Sequence, residues 1–152
     1  MKIIAHRANI NGPSSKYENT IYNINKCIKL GFDVEIDIRV INGKLYLGHD
    51  KATQMIEEKE LNKFKEHSWI HCKNLEAITF FSNNIIKFNY FWHENDSYTL
   101  TSKGYIWAYP GQKLSNSCIC VMPEVKHSLK EFSYLQEMQI AGICTDYPNL
   151  FR

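Results

Sequence analysis

The chain has 152 residues, a formal net charge of +2 at pH 7, and 44% apolar and 22% charged residues. This composition is that of a folded protein and excludes intrinsic disorder, and the length fits a single domain over residues 1–152. The small charge gives no electrostatic reason to expect a nucleic-acid partner. No apolar run approaches the roughly 20 residues of a membrane span.

The N-terminal residues and the cysteines favour a cytoplasmic location. The apolar residues after Met1 form a run that is shorter than the core of a signal peptide. The five cysteines are an odd number, which argues against a disulfide framework. Cys118 and Cys120 lie in an apolar run without further zinc ligands at suitable spacing, so we expect buried thiols there.

Hydrophobic periodicity and turn residues define the expected secondary structure. In chain order the patterns predict a strand at 2–6, a helix at 18–30, a strand at 33–40, its hairpin return at 44–48, a helix at 56–66, a strand at 69–73, a helix at 74–82, strands at 90–94, 97–101, 105–109 and 118–122, a helix at 128–138 and a strand at 142–145. Strict alternation within 33–40 places Glu35 and Asp37 on one face of that strand. Asn42-Gly43 is typical of a tight hairpin turn.

The order of these elements predicts an α/β fold. Alternation of strands and helices favours a parallel sheet with crossover helices. Without the hairpin return there are eight expected strands, which is the number in a closed TIM-type (β/α)8 barrel. Such barrels typically need about 250 residues, so several helices must be shortened or missing, notably between residues 94 and 118. An open α/β sheet is the structural alternative.

Ionisable side chains lie on or directly after three of the expected strands. His6 and Arg7 follow the first strand, Glu35 and Asp37 share a face of the second, and His49 follows the hairpin return. In a parallel barrel these groups converge at the C-terminal ends of the strands. Paired carboxylates suit Mg²⁺ or Ca²⁺, histidines suit acid/base work, and arginine suits phosphate. The alternatives are the solvent face of a hairpin for the carboxylates and simple turn chemistry for His49.

The first 50 residues contain five short motifs, which are His6-Arg7, Glu18-Asn19-Thr20, Glu35-x-Asp37, Asn42-Gly43 and His49-Asp50. In their order and spacing these motifs resemble one known family, the glycerophosphodiester phosphodiesterases, of which the chain would be a short, divergent member. The C-terminal G-I-C-T-D-Y-P at 142–148 is similar to the family's last barrel strand, and W-I-H-C-K at 69–73 resembles its third-strand segment. Residues 80–135 match the family poorly.

The resemblance implies a phosphodiesterase-type TIM barrel and a set of residue roles. It implies an acid/base pair, a divalent metal ion held by carboxylates, cationic side chains that neutralise the phosphate, and one glutamate that supports the site. In this sequence these are His6 and His49 for acid/base catalysis, Glu35 and Asp37 for the metal, Arg7 and Lys73 for the phosphate, and Glu18 for support.

Two departures from the family pattern bear on the site. The usual glycine after His-Arg is Ala8, and the third carboxylate ligand is replaced by His71. Imidazole is a poorer ligand for Mg²⁺ or Ca²⁺ than a carboxylate, so Glu94 or Glu124, each at the end of a strand, is a candidate for the missing oxygen. Alternatively the site prefers a softer metal or binds metal weakly. A hydrogen-bonded core histidine is the non-functional alternative for His71.

We therefore expect a metal-dependent phosphodiesterase that hydrolyses a small glycerophosphodiester-like substrate. A lyase that releases a cyclic phosphate is the closest enzymatic alternative, and a degenerate phosphate-binding or scaffold protein is the non-catalytic one. A barrel with few helices leaves apolar strand surface uncovered, which usually finds a partner. The sequence therefore predicts a homodimer, with residues 88–109 as the expected contact region.

Overall fold

The computed structural model describes residues 1–84, 86–129 and 132–152. Its strands and α-helices are β1 (Lys2–Ala5), α1 (Ile21–Lys29), β2 (Asp33–Ile41), β3 (Lys44–Leu47), β4 (Gln54–Ile56), α2 (Glu58–Lys63), β5 (Ser68–Cys72), α3 (Leu75–Asn83), β6 (Asn89–Phe91), β7 (Tyr98–Leu100), β8 (Ile106–Ala108), β9 (Cys118–Val121), α4 (Ser133–Glu137) and β10 (Gly142–Thr145). Short 3₁₀ turns lie at His6–Ala8, Lys65–His67, Pro123–Val125 and Pro148–Phe151.

The sheet is mostly parallel, as the alternation of elements predicts. Parallel ladders join the strands in the order β6-β5-β2-β1-β10-β9-β8. The hairpin adds β3 and β4 to β2 in antiparallel pairing. The strand predicted at 97–101, β7, also departs from the parallel pattern, because it pairs with β8 as an antiparallel hairpin.

The two ends of this sheet, β6 and β7, meet through hydrogen bonds that do not form a strand ladder. The Ser102 amide donates to the Tyr90 carbonyl at 2.8 Å, and the Thr99 hydroxyl donates to the Trp92 carbonyl at 2.8 Å. The expected α/β, TIM-type architecture is confirmed. Within the described residues, the series of strand ladders is interrupted between β6 and β7.

Several helices are short or missing, because 152 residues are too few for a full (β/α)8 barrel. The described segment from residue 92 to 117 contains no helix, as expected for so short a barrel. The predicted helix 56–66 is instead β4 followed by the shorter α2, because Ile56 pairs with Leu45 of the hairpin. The predicted helix 128–138 is reduced to α4, and Lys130 and Glu131 of that prediction lie outside the described residues.

The start of α1 also differs from the prediction. The helix begins at Ile21, because the Thr20 side chain accepts a hydrogen bond from the Asn23 amide and so caps the first turn. Glu18 and Asn19 therefore belong to the preceding loop rather than to the helix.

Apolar side chains of the described residues form three buried clusters. One lies between the sheet and α1, α2 and α3 and includes Ile24, Leu61 and Phe81. A small one packs Leu135 of α4 against Ile143 of β10. The third is the cluster inside the barrel, built from β1, β5, β6, β8, β9 and β10. Its members are Ile4, Trp69, Phe91, Trp107, Ile119, Val121 and Cys144. In the 88–109 segment, Phe91 and Trp107 are therefore core residues, whereas Tyr98 and Leu100 are exposed.

Membrane insertion through a helix has no support in the part of the chain that the structure describes. None of its helices is long and apolar enough to cross a membrane. All five cysteines are free thiols.

Replacement of Gly48 by alanine should destabilise the protein far more than the same change at Gly43. A Cβ at Gly48, where φ is +137°, would lie 2.0 Å from the Lys51 carbonyl oxygen, whereas a Cβ at Gly43, where φ is +73°, meets nothing within 4 Å. Left-handed φ alone costs about 1–2 kcal/mol, so Gly43→Ala isolates that cost. Chemical denaturation should show a further loss of at least about 2 kcal/mol in Gly48→Ala. Equal losses would contradict the close approach.

Candidate active site

Strand register brings the ionisable groups of four parallel strands together. Ala5 pairs with Val34 on one side and with Thr145 on the other. The residue that follows β1, His6, therefore lies between the next residues along the two neighbouring strands, Glu35 and Asp146. Asp37 pairs with His71 on β5. The end of the barrel at the C-terminal ends of its strands therefore carries the candidate site, which is where such barrels place their chemistry.

Glu35 is held by an unusual backbone conformation after β1. Arg7 has φ 49° and ψ 28°, and its amide donates to Glu35 Oε2 at 2.9 Å. Ala8 also has a positive φ, 59°. Because left-handed backbone favours glycine, this geometry accounts for the glycine that the resembling family carries at this position. Strain of this kind is typical of functional sites.

Asp37 is fully buried and is held by the amide side chain of Asn19. Asn19 Nδ2 donates to Asp37 Oδ2 at 2.8 Å, and the Asp37 amide donates to Asn19 Oδ1 at 2.9 Å. Asn19 itself has a positive φ of 51°, which asparagine tolerates better than most residues. The Arg7 guanidinium lies close by, with Nε 3.6 Å from Asp37 Oδ2 and Nη1 3.5 Å from Glu18 Oε1.

The pKa values of the Glu35 and Asp37 carboxyl groups shift in opposite directions. Burial and the neighbouring charge of Asp37 raise the pKa of Glu35. Burial would also raise the pKa of Asp37, but its contacts with the His71 imidazole, the His49 charge and the Asn19 amide outweigh burial and lower that pKa to about 2. Burial of two adjacent carboxyl groups is unfavourable without a compensating charge, so the pair is suited to a cation.

His71 completes a cluster with the donor atoms of a metal site. Its Nδ1 lies 3.1 Å from Asp37 Oδ1 and 3.8 Å from Glu35 Oε1. One ligand atom from each of the three residues lies within 4.8 Å of the others. Asp37 Oδ1 is buried and has no hydrogen-bond partner, so the donor set fits a divalent cation.

His6 forms a partly buried pair with Asp146. His6 Nδ1 lies 2.9 Å from Asp146 Oδ1, which also accepts a hydrogen bond from Asn9 Nδ2 at 2.8 Å. Burial lowers the pKa of His6, but the hydrogen bond with Asp146 and the charge of Glu35 outweigh it and raise the pKa above its usual value. The arrangement fixes the ring, so that Nε2 is the nitrogen left for chemistry.

Glu124 lies outside the metal-type cluster. Both of its carboxylate oxygens accept hydrogen bonds from the Thr145 hydroxyl at 3.0 Å, and Oε1 also accepts from the Asp146 amide at 2.8 Å. Its contacts therefore fix the residue that holds His6. Glu94 lies at the rim, where it lines the cavity described below.

His49 follows β3 and lies against two cationic side chains. Its Nε2 is 3.4 Å from Lys73 Nζ, and its Nδ1 is 2.7 Å from Oδ1 of the exposed Asp50. Partial burial lowers the pKa of His49, and the charges of Asp37 and Asp50 offset only part of that effect. Arg39 donates to the His49 carbonyl at 2.6 Å and to the Lys73 carbonyl at 3.4 Å, and so links the two segments.

These groups open onto one cavity of about 530 Å³. His6, Glu35, His49, His71 and Lys73 all line it. Aromatic side chains form another part of its wall, where the rings of His93 and Tyr109 stack with centroids 3.6 Å apart. The cavity therefore brings His6, His49 and Lys73 together with two members of the metal-type cluster, Glu35 and His71.

Solved structures share this fold. A glycerophosphodiester phosphodiesterase from Agrobacterium tumefaciens superposes with a TM-score of 0.63 at 13% identity, over 99% of this chain and 98% of that one. A protein from Galdieria sulphuraria assigned as the same enzyme gives 0.58 at 13% identity, over 99% and 96%. The enzyme from Parabacteroides distasonis gives 0.50 at 13% identity, over 97% and 93%. No family model and no curated protein matches the sequence.

The structural likeness shows that the chain has the fold of glycerophosphodiester phosphodiesterases, the family that the motifs resemble. Sequence reasoning singled out the two histidines and the carboxylate pair, but it placed neither Asp146 nor Asn9 nor Arg39 in the site. Asp146 lies in the T-D-Y-P segment, directly after the last strand, and that position was the available signal.

Asp146→Asn should lower the pKa of His6, because it removes the charge that stabilises the imidazolium. The measurement is an NMR titration of the His6 ring in the wild type and in the variant. Asp50→Asn is the matched control, because Asp50 is exposed and pairs with His49 instead. A His6 titration that is unchanged in Asp146→Asn would show that the pair does not control this histidine.

Proposed function

We propose that this chain is a metal-dependent phosphodiesterase that acts on a small glycerophosphodiester-like substrate. The observation that carries the proposal is the cavity in which His6 and His49 face a buried carboxylate pair. The pKa of His6 is raised and that of His49 is lowered, and opposed shifts of this kind are typical of an acid and a base that work together. The fold shared with known phosphodiesterases supports the proposal.

The raised pKa suits His6 to the role of general acid, since it keeps the ring protonated near neutral pH. The lowered pKa suits His49 to the role of general base. His49 would remove the proton from the attacking hydroxyl through Nε2, while His6 would protonate the leaving alcohol oxygen. One bond from oxygen to phosphorus forms and another breaks, and each histidine ends in the protonation state from which the other began.

Cationic side chains of this protein would neutralise the negative charge of the phosphate. Lys73 lies beside His49 in the cavity, and Arg7 lies beside Asp37, so we assign both to phosphate binding and Glu18 to the support of Arg7. We assign Glu35, Asp37 and His71 to the metal. A divalent cation, when bound, supplies Lewis-acid stabilisation of the phosphate oxygens. Because its oxygens are engaged by Thr145 and Asp146, we assign Glu124 to positioning rather than to metal binding.

The attacking hydroxyl belongs either to water or to the substrate. Attack by water gives direct hydrolysis, whereas attack by a neighbouring substrate hydroxyl gives a cyclic phosphate that water then opens. Both routes use the same pair of histidines, and a lyase stops at the cyclic product. Analysis of products by ³¹P NMR separates these outcomes.

In solution we propose a cytoplasmic homodimer. Free thiols at all five cysteines support the location. Tyr98 and Leu100, which are 42% and 67% exposed, border an open apolar groove of about 570 Å³ on the β7–β8 hairpin and support the contact.

Hydrolysis of bis(p-nitrophenyl) phosphate should require a divalent ion and both histidines. His6→Ala and His49→Ala should each lower kcat by about 10²–10⁴-fold, the usual contribution of a positioned acid or base. His67→Ala is the control, because His67 is half-exposed and contacts Asp33 rather than the cavity. Wild-type turnover that persists in both variants, or in excess EDTA, would sink the proposal.

The pH profile of kcat/KM should be bell-shaped, with its maximum between the lowered pKa of His49 and the raised pKa of His6. Activity should rise through the lowered pKa of His49, because the base must be neutral. It should fall through the raised pKa of His6, because the acid must be protonated. Asp146→Asn should move the alkaline limb to lower pH and leave the acidic limb in place. Movement of the acidic limb alone would reverse the assignment.

Sedimentation at micromolar concentration should give a dimer for the wild type. Leu100→Lys should give a monomer, because it places a charge in the apolar groove. Lys103→Ala, a change at an exposed position on the same hairpin, should remain dimeric. A monomeric wild type would contradict the proposed assembly and leave the proposed chemistry unaffected.

A further inference from the structure

We infer that the site prefers a first-row transition-metal ion, such as Zn²⁺ or Ni²⁺, over Mg²⁺ and Ca²⁺. The inference rests on the proposed function, because it concerns the ion at the same centre. It departs from the preference that the two carboxylates alone would predict. The difference comes from His71, which supplies nitrogen where the resembling family supplies a third oxygen.

Each carboxylate has one oxygen anchored and one oxygen directed to His71. Arg7 donates to Glu35 Oε2 and Asn19 donates to Asp37 Oδ2, at 2.9 and 2.8 Å. The remaining oxygens, Glu35 Oε1 and Asp37 Oδ1, are the two that lie nearest His71 Nδ1, at 3.8 and 3.1 Å. One donor atom from each of these three side chains therefore lies within 4.8 Å of the other two.

The ring of His71 is held so that Nδ1 is the inward-facing nitrogen. Phe91 stacks on it, with centroids 4.9 Å apart and planes 12° apart. On the opposite edge, Nε2 lies 3.4 Å from the His93 carbonyl oxygen. A backbone carbonyl in this position is a usual partner of a metal-binding histidine, because it keeps the hydrogen on the outer nitrogen and leaves the inner lone pair free.

A free lone pair on Nδ1 next to two carboxylate oxygens is unfavourable unless a cation lies among them, and a bound ion would take the place of a proton on Nδ1. Asp37 Oδ1 is buried and lacks a hydrogen-bond donor despite the 3.1 Å contact, so the contact with His71 does not satisfy it. An unpartnered buried carboxylate oxygen is costly, and a metal ion bonded to all three atoms removes that cost.

The donor set determines which ion is preferred. Mg²⁺ and Ca²⁺ take oxygen ligands almost exclusively, and Mg²⁺ gives up water reluctantly. Imidazole suits zinc, iron, copper and nickel, and carboxylates bind these ions as well. Two carboxylates and one imidazole therefore favour a transition-metal ion.

The test is calorimetric titration of the chelator-treated chain with Zn²⁺, Ni²⁺, Mg²⁺ and Ca²⁺ in turn. The wild type should bind Zn²⁺ and Ni²⁺ at least about tenfold more tightly than Mg²⁺ and Ca²⁺. His71→Glu should lose at least about tenfold in Zn²⁺ affinity and gain affinity for Mg²⁺. His127→Glu is the matched control, because it removes an exposed imidazole outside the cluster and should change neither value.

A wild type that binds Mg²⁺ or Ca²⁺ as tightly as Zn²⁺ overturns the inference, and the metal centre of the proposed function stands. The same conclusion follows when a folded His71→Glu keeps the wild-type order of affinities. Should a melting curve show that His71→Glu is unfolded, His71→Asn gives the same comparison with a smaller, uncharged oxygen donor. Absence of binding by all four ions overturns both the inference and the metal dependence of the proposed function.

Discussion

Glu35 and Asp37 lie side by side on one face of β2, 2% and 0% exposed, and buried neighbouring carboxylates are unfavourable unless their surroundings compensate the charge. The groups around the pair provide that compensation in part: the amide and guanidinium of Arg7, the side-chain amide of Asn19, and the imidazole of His71. The cation that we propose completes it. The arrangement of the site therefore follows from the need to bury two negative charges.

The backbone around the carboxylates adopts strained conformations that the rest of the fold supports. Arg7, Ala8 and Asn19 all have positive φ, and the Asn19 amide donates to the Arg7 carbonyl at 2.8 Å. The Ala8 carbonyl accepts hydrogen bonds from Asn23 and Cys27 of α1, at 3.0 and 3.3 Å. The first helix thus stabilises the turn that directs an N–H to Glu35, and the proposed site shares these contacts with the fold.

Local patterns predict the parts of this site that lie within one element. The alternation of β2 places both carboxylates on one face, and the hairpin signal at 42–43 locates His49. The pairs His6–Asp146 and Asp37–His71 join distant segments, so only the strand register reveals them. The prediction of a helix that begins at residue 56 was wrong because it also depended on a distant segment. Ile56 fits a helical pattern locally, but pairing with Leu45 makes it part of a strand.

The central claim is that one end of this short barrel binds a metal ion and a phosphate between two histidines. A crystal structure with Zn²⁺ and a phosphate ester, measured at a wavelength where zinc scatters anomalously, tests it most directly. The account predicts an anomalous peak at bonding distance, roughly 2.0–2.3 Å, from Glu35, Asp37 and His71, with phosphate oxygens beside His6 and His49. A peak at other residues, or a phosphate that avoids both histidines, would contradict it.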